Sequence, residues 1–188
     1  MKYSYRKTTF TKTQTIELGE DYICTYNENN SLTGRYSYHE IESITLVYSP
    51  IKTARKLHQC TIKTSNNTKI IVRNYSYISL ANFKEQTEEY LIFLKQLHNK
   101  TKSLEYIQFK KGINKIGYFS MLIFLLLMTI FMIVIAFVLY DKHKYSELTT
   151  SIFAVFVFVL MIHTFIQNFK PENYDPDNIS ANALPFDI

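Results

Sequence analysis

Residues 116–140 read IGYFSMLIFLLLMTIFMIVIAFVLY, and residues 148–169 read LTTSIFAVFVFVLMIHTFIQNF. Neither run contains Asp, Glu, Lys or Arg, and neither has the polar face of a helix that packs on a soluble core. At about 1.5 Å per residue, each run can cross a hydrocarbon core of roughly 30 Å. The short linker, residues 141–147, makes the two helices antiparallel neighbours. We therefore predict a two-pass membrane protein with a transmembrane hairpin.

Lysines are distributed unevenly around these two helices. Six precede the first helix within about 20 residues, two lie in the linker, and one follows the second helix. The lysine-rich side of a membrane protein is normally cytoplasmic. Residues 1–15 also lack the apolar core of a cleavable signal peptide. We expect a cell (inner) membrane protein with both termini in the cytoplasm, the linker outside, and residues 170–188 as a cytoplasmic tail.

Positive charge is concentrated before the helices. Residues 1–115 carry 18 Lys and Arg against 10 Asp and Glu, whereas residues 148–188 carry 1 against 4. A basic face beside an anionic leaflet gains about 1 kcal/mol for each Lys or Arg that reaches the surface. The alternative is a solvated exterior of dispersed lysines, which needs no ligand.

Two groups of basic residues are candidates for contact with anionic lipid headgroups. The first is the densest basic turn, after Pro50, and comprises Lys52, Arg55 and Lys56. The second lies in a basic juxtamembrane linker, residues 101–115, and comprises Lys110, Lys111 and Lys115.

The first 80 residues show a β pattern. Segments rich in Thr, Tyr, Ile and Val alternate with turn signals such as Gly19-Glu20-Asp21 and Asn27–Asn30. The predicted strands are Tyr3–Thr11, Thr13–Leu18, Tyr22–Tyr26, Arg35–Tyr38, Ser43–Tyr48, Leu57–Thr64 and Lys69–Asn74. We expect Pro50 to end the fifth of them. Both cysteines, Cys24 and Cys60, fall in predicted strands without metal-ligand spacing, which indicates buried, reduced thiols.

One amphipathic helix is expected after the strands. Asn82 can cap its N-terminus, and Glu85 can reach back from the third helical position. An apolar face follows at helical spacing and comprises Phe83, Tyr90, Leu91, Leu94 and Leu97. The pattern predicts that this helix packs on the sheet.

About seven antiparallel strands followed by one helix resemble a pleckstrin-homology-like (PH-like) domain, of the bacterial kind that is joined to membrane helices. The phrase Tyr36-Ser37-Tyr38-His39-Glu40-Ile41-Glu42-Ser43-Ile44 is similar to a strand-entry phrase of such domains. The resemblance covers roughly residues 9–97. It implies an α+β fold, with an antiparallel PH-like β-barrel or sandwich and a C-terminal capping helix in residues 1–100. Residues 170–176, KPENYDP, and the later Ala183-Leu184-Pro185 are similar to the tail of some uncharacterised bacterial membrane proteins.

No reaction signature is found in the chain. The five histidines show no His-x-x-x-His spacing, and neither a Gly-rich phosphate loop nor Gly-x-Ser-x-Gly is present. We therefore expect no catalytic residues, no metal site and no cofactor. His163 is the exception to consider, because an ionisable side chain inside an apolar run is a functional candidate.

Three functions are compatible with the sequence. The first is a non-enzymatic, membrane-anchored PH-like module that binds anionic headgroups or a membrane or cytoplasmic protein at the cytoplasmic face. The second is a small transporter or membrane-enzyme subunit that uses His163, Thr164 and Gln167. The third is a nucleic-acid-binding module, which the +8 charge of residues 1–115 permits but the scattered lysines do not favour.

Overall fold

The computed structural model describes residues 1–8, 10–51, 55–79 and 82–179. Two compact units are present: Met1–Gly112 with Glu172–Ile188, here called the sheet unit, and Ile113–Pro171, here called the helical unit. The sheet unit contains the described strands and one helix, and the helical unit contains two long apolar helices. The predicted α+β class is therefore confirmed.

The strands of the sheet unit form three sheets. Their bounds are β1 Lys2–Tyr5, β2 Gln14–Leu18, β3 Tyr22–Tyr26, β4 Leu32–Ser37, β5 Ile41–Ile51, β6 Arg55–Thr64, β7 Lys69–Arg73, β8 Tyr75–Ser79, β9 Asn82–Glu85, β10 Gln108–Lys111 and β11 Glu172–Asn173. The sheet orders are β1-β2-β3-β4, β11-β10-β5-β6-β7 and β8-β9. Neighbouring strands are antiparallel except β10 and β5. Among the described strands no sheet closes on itself, so the PH-like barrel is not confirmed.

Each predicted strand overlaps a strand of the structure, and the turns have a local cause. Asn30 and Asn67 adopt positive φ angles of 55° and 58° in the β3–β4 and β6–β7 turns. Asparagine tolerates this left-handed conformation better than most residues. The Asn-rich turns therefore fix where these hairpins reverse direction.

Pro50 does not end β5, contrary to our prediction, because its missing N–H lies on the unpaired side of the strand. The Leu46 carbonyl faces β10, where it accepts from the Gly112 N–H. Since backbone groups alternate along an antiparallel strand, Pro50 directs its nitrogen to the same side, beyond the end of β10. β5 therefore continues to Ile51 in pairing with β6.

The prediction that the helix begins at Asn82 is wrong. Residues 82–85 form β9, which pairs with β8, and the Phe83 ring packs edge-on against Tyr77 at 5.1 Å. Phe83, which the helical spacing had placed on the apolar face of the predicted helix, thus packs across the strand pair instead. The helix, α1, spans Thr87–Thr101, and the Thr87 hydroxyl donates to Glu85 at 2.8 Å.

The core of the sheet unit lies between α1 and the two larger sheets. Tyr90, Leu94 and Leu97 of α1 are buried as predicted, Leu91 is half-buried, and Phe93 is an additional buried residue. From the strands the same cluster includes Ile16, Ile23, Ile44, Leu46, Ile62 and Val72. Cys24 and Cys60 are buried free thiols, as predicted, and burial raises the pKa of Cys60 to about 12.

The helical unit is a pair of helices, α2 Lys115–Asp141 and α3 Tyr145–Phe169. Asn114 caps α2 by accepting a hydrogen bond from the Gly117 N–H at 2.6 Å. The Ser151 hydroxyl of α3 donates to the Met132 carbonyl of α2 at 3.2 Å. Both helices are long and apolar enough to cross a membrane, and only 11% and 6% of their most apolar stretches are buried.

Candidate functional site

One parallel pairing determines where the chain leaves the five-stranded sheet. β10 runs parallel to β5, with Gln108 opposite Ser43 and Lys111 opposite Leu46. Beyond Leu46, β5 continues in the same direction to Ile51. The chain therefore leaves this sheet in the direction in which the β5–β6 hairpin extends.

Four of the six predicted basic residues lie on strands β6 and β10 of this sheet, two of them at the hairpin end. In the hairpin, Lys56 pairs with Pro50 and Arg55 pairs with Ile51 through their backbones. Lys110, in β10, is exposed and lies opposite Thr45, six residues before Ile51 along β5. We call the hairpin pairs together with Lys110 and Lys111 the basic end.

The remaining two predicted residues are not placed in the basic end. Lys52 lies outside the described residues. Lys115 is exposed and is the first residue of α2, in the helical unit. It follows Lys111 by four positions in the sequence.

Lys111 differs from the other candidates because it forms an ion pair. Its ammonium nitrogen lies 3.0 Å from a Glu172 carboxylate oxygen, and both side chains are partly buried. The pair connects β10 to β11, whose backbones are in register at these two residues. The Lys111 side chain therefore holds the segment that follows α3.

That segment, Glu172–Ile179, is attached to the sheet unit by further contacts, and we call it the returning segment. The Tyr174 N–H donates to the Phe109 carbonyl at 3.1 Å, and Lys102 contacts Asp177 at 2.7 Å. The Tyr174 ring packs against the rings of His98 and Phe109, each at 5.8 Å. The chain thus leaves the sheet unit at β10 and rejoins it on the neighbouring strand.

His98 anchors the returning segment in its neutral form. One ring nitrogen, Nδ1, lies 2.7 Å from the Leu94 carbonyl, which can only accept, so Nδ1 is the donor. Nε2 then accepts from the Tyr174 hydroxyl at 2.7 Å. Burial lowers the pKa of His98 below its ordinary 6.5, and burial raises the pKa of Tyr174. Both groups are therefore uncharged at neutral pH.

Sequence reasoning missed the returning segment. Tyr174 is visible in the tail, but its partners His98 and Phe109 are 76 and 65 residues away in the sequence. A usable signal is the alternation of Ile107 and Phe109 with polar Gln108 and Lys110, which marks a half-buried strand. Our prediction assigned these residues to a linker.

The polar residues of α3 make local contacts. His163 and Gln167 approach to 3.0 Å through their Nε2 atoms, one helical turn apart. The Thr164 hydroxyl donates to the Leu160 carbonyl at 2.9 Å within the same helix. These contacts satisfy polar groups on the helix surface.

Within the described ranges, no three His, Cys, Asp or Glu side chains converge as metal ligands would. No protein-family model, curated protein or solved structure matches this chain. Of the six predicted basic residues, the basic end contains four.

Proposed function

We propose that this chain is a non-enzymatic, membrane-anchored module whose sheet unit binds anionic lipid headgroups through the basic end. The observation that carries the proposal is the parallel pairing of β10 with β5. It makes the chain leave the sheet in the direction of the hairpin end, which bears Arg55 and Lys56. Anchoring by α2 and α3, with both termini in the cytoplasm, belongs to the same proposal.

Chain geometry supports contact with the bilayer surface. Three residues separate Lys111 from α2, so α2 begins no more than about 14 Å from Lys111. From Leu46 to Ile51 the β5 strand advances about 17 Å in the direction in which the chain leaves. The hairpin therefore extends in the direction in which the chain leaves the sheet, which supports contact of its end with the bilayer.

The magnitude of the charge effect is sufficient for docking of a tethered domain. Each Lys or Arg near an anionic leaflet contributes about 1 kcal/mol. Because the helices keep the sheet unit at the membrane, its docking equilibrium is intramolecular and requires only a small gain. Arg55 and Lys56 together supply that gain.

The test uses the absence of tryptophan from the chain. Ile51→Trp places a single fluorophore at the hairpin end, and Asn66→Trp places one in the β6–β7 turn, at the opposite end of the same sheet. In nanodiscs containing phosphatidylglycerol, we expect brominated lipids to quench the fluorescence of Ile51→Trp and not that of Asn66→Trp. Replacing Arg55 and Lys56 with glutamine should lower the docking constant about 30-fold, which corresponds to two contacts of about 1 kcal/mol each.

Salt and lipid composition provide the controls. Quenching at position 51 should weaken as salt shortens the Debye length to a few ångströms, and it should be absent in pure phosphatidylcholine. The same quenching in neutral and anionic nanodiscs, or at positions 51 and 66 alike, would contradict headgroup binding by the basic end.

A further inference from the structure

A second group of lysines lines a cleft at the opposite end of the sheet unit. The cleft has a volume of about 600 Å³ and lies between the β1–β2 connection, the adjoining ends of β3 and β4, and the beginning of β7. Its lysines are Lys7, Lys12 and Lys69. Lys69 pairs with Lys63, which pairs with Ser43, so the cleft lies away from the β5–β6 hairpin and opposite to the direction in which the chain leaves the sheet. The geometric argument for bilayer contact therefore does not apply to this cleft.

The lining of the cleft is cationic. It includes three lysines and no carboxylate among the described residues. Lys12 forms an exposed ion pair with Glu28 at 3.1 Å, whereas no ion pair within the described part of the chain involves Lys7 or Lys69. A smaller cleft of about 440 Å³ contrasts with it, because there Lys63 and Glu42 neutralise each other at 2.6 Å. Charge complementarity thus selects an acidic occupant for the larger cleft.

The cleft also lies where two sheet edges approach without pairing. β1 is the last strand of the four-stranded sheet, and β7 is the last strand of the five-stranded sheet. Tyrosine hydroxyls bridge them: Tyr3 donates to the Arg73 carbonyl and Tyr5 to the Ile71 carbonyl. By the alternation of a strand, Lys69 directs its N–H and C=O to the same outer edge, one step beyond these tyrosines. This edge can accept the backbone of an extended peptide.

The shape and the remaining side chains favour a polypeptide over a compact small molecule. Small-molecule sites typically enclose most of their ligand, whereas this cleft is partly open to solvent. Ile16, Ile70 and Tyr36 supply apolar surface, and Thr13, Thr33 and Thr68 supply hydroxyl groups. An extended peptide presents alternate side chains to such a mixed lining.

We propose that this cleft binds an extended acidic segment of a partner protein, in which carboxylates meet Lys7 and Lys69 and the backbone pairs with the outer edge of β7 at Lys69. The proposal goes beyond headgroup binding, because it concerns the other end of the sheet. It makes the sheet unit a connector between the bilayer and an acidic protein.

The test measures binding of a fluorescein-labelled octapeptide of alternating Glu and Val to the full chain in phosphatidylcholine nanodiscs. We expect saturable binding, and about tenfold weaker binding after Lys7→Gln with Lys69→Gln, since each exposed ion pair contributes up to about fivefold. The matched control, Lys84→Gln with Lys95→Gln, removes the same charge from exposed positions outside the cleft. Unreactive Cys24 and Cys60 thiols show that each variant is folded.

Two further probes distinguish a peptide site from a simple anion site. The same peptide with N-methylated backbone amides should bind several-fold more weakly, because it cannot pair with a strand edge. Inorganic tripolyphosphate should compete poorly. Equal weakening by both double variants, unchanged binding of the methylated peptide, or full competition by tripolyphosphate would overturn the proposal.

Discussion

Replacing Leu94 with aspartate is expected to unfold the sheet unit. Leu94 is 1% exposed, in the core between α1 and the sheets. Removing a buried leucine side chain costs about 2–5 kcal/mol, and an unpaired buried carboxylate adds to that cost. Since a domain of this size has a total stability of about 5–15 kcal/mol, most of the margin is lost. The measurement is reaction of Cys24 and Cys60 with a maleimide, because both thiols are buried in the folded chain.

Lys95→Asp is the matched control for this substitution. Lys95 is the next residue along α1, and its side chain is exposed. The two cysteines should stay protected in this variant and become reactive in Leu94→Asp at room temperature. Protected thiols in Leu94→Asp would contradict the packing of α1 on the sheets.

Replacing Tyr174 with alanine is expected to release the returning segment from the sheet unit. The change removes a partly buried ring that packs on His98 and Phe109, together with the hydroxyl that donates to His98. We expect a loss of about 2–3 kcal/mol, at the lower limit for truncating a buried aromatic side chain. Hydrogen exchange at residues 172–179 should accelerate about 30-fold or more, which is the equivalent of 2 kcal/mol.

Tyr174→Phe separates the hydrogen bond from the packing. The ring remains, and the hydrogen bond to His98 is lost, which should cost about 1 kcal/mol and raise exchange only about fivefold. Exchange that is unchanged in Tyr174→Ala would show that the contacts of Tyr174 do not hold the segment.

Local chemistry in the sequence was sufficient to predict much of the sheet unit. The hairpin turns were visible because asparagines tolerate positive φ, and Asn30 and Asn67 adopt it. Tyr90, Leu94 and Leu97 were correctly assigned to one buried face, since their spacing is independent of what they pack against. The apolar runs of α2 and α3 could be recognised for the same reason, because their pattern is independent of what they pack against.

Features that depend on distant partners could not be read from local patterns. Asn82–Glu85 has the composition of a capped helix start, but the pairing of Phe83 with Tyr77 makes it a strand. β10 pairs with β5 across more than 60 residues of sequence, and no short-range signal specifies that register.

The candidate site shows the same division. Both groups of basic residues were identified from composition, whereas the placement of four of them on strands of one sheet follows from the pairing of β5 with β6 and with β10. The ion pair of Lys111 was not foreseen, because Glu172 lies beyond both helices in the sequence. Counting charges in the sequence therefore overestimated the number of basic side chains that are available to bind a ligand.

Cysteine labelling of intact cells tests the membrane anchoring on which the proposed function depends. Ser146 lies at the start of α3 and Ser31 in the β3–β4 turn, and both are exposed. The native cysteines are buried and serve as an internal control for folding. A membrane-impermeant maleimide should label Ser146→Cys in intact cells, and should label Ser31→Cys only after permeabilisation. Labelling of Ser31→Cys in intact cells, with Ser146→Cys protected, would contradict the orientation of the anchored chain and the cytoplasmic position of the basic end.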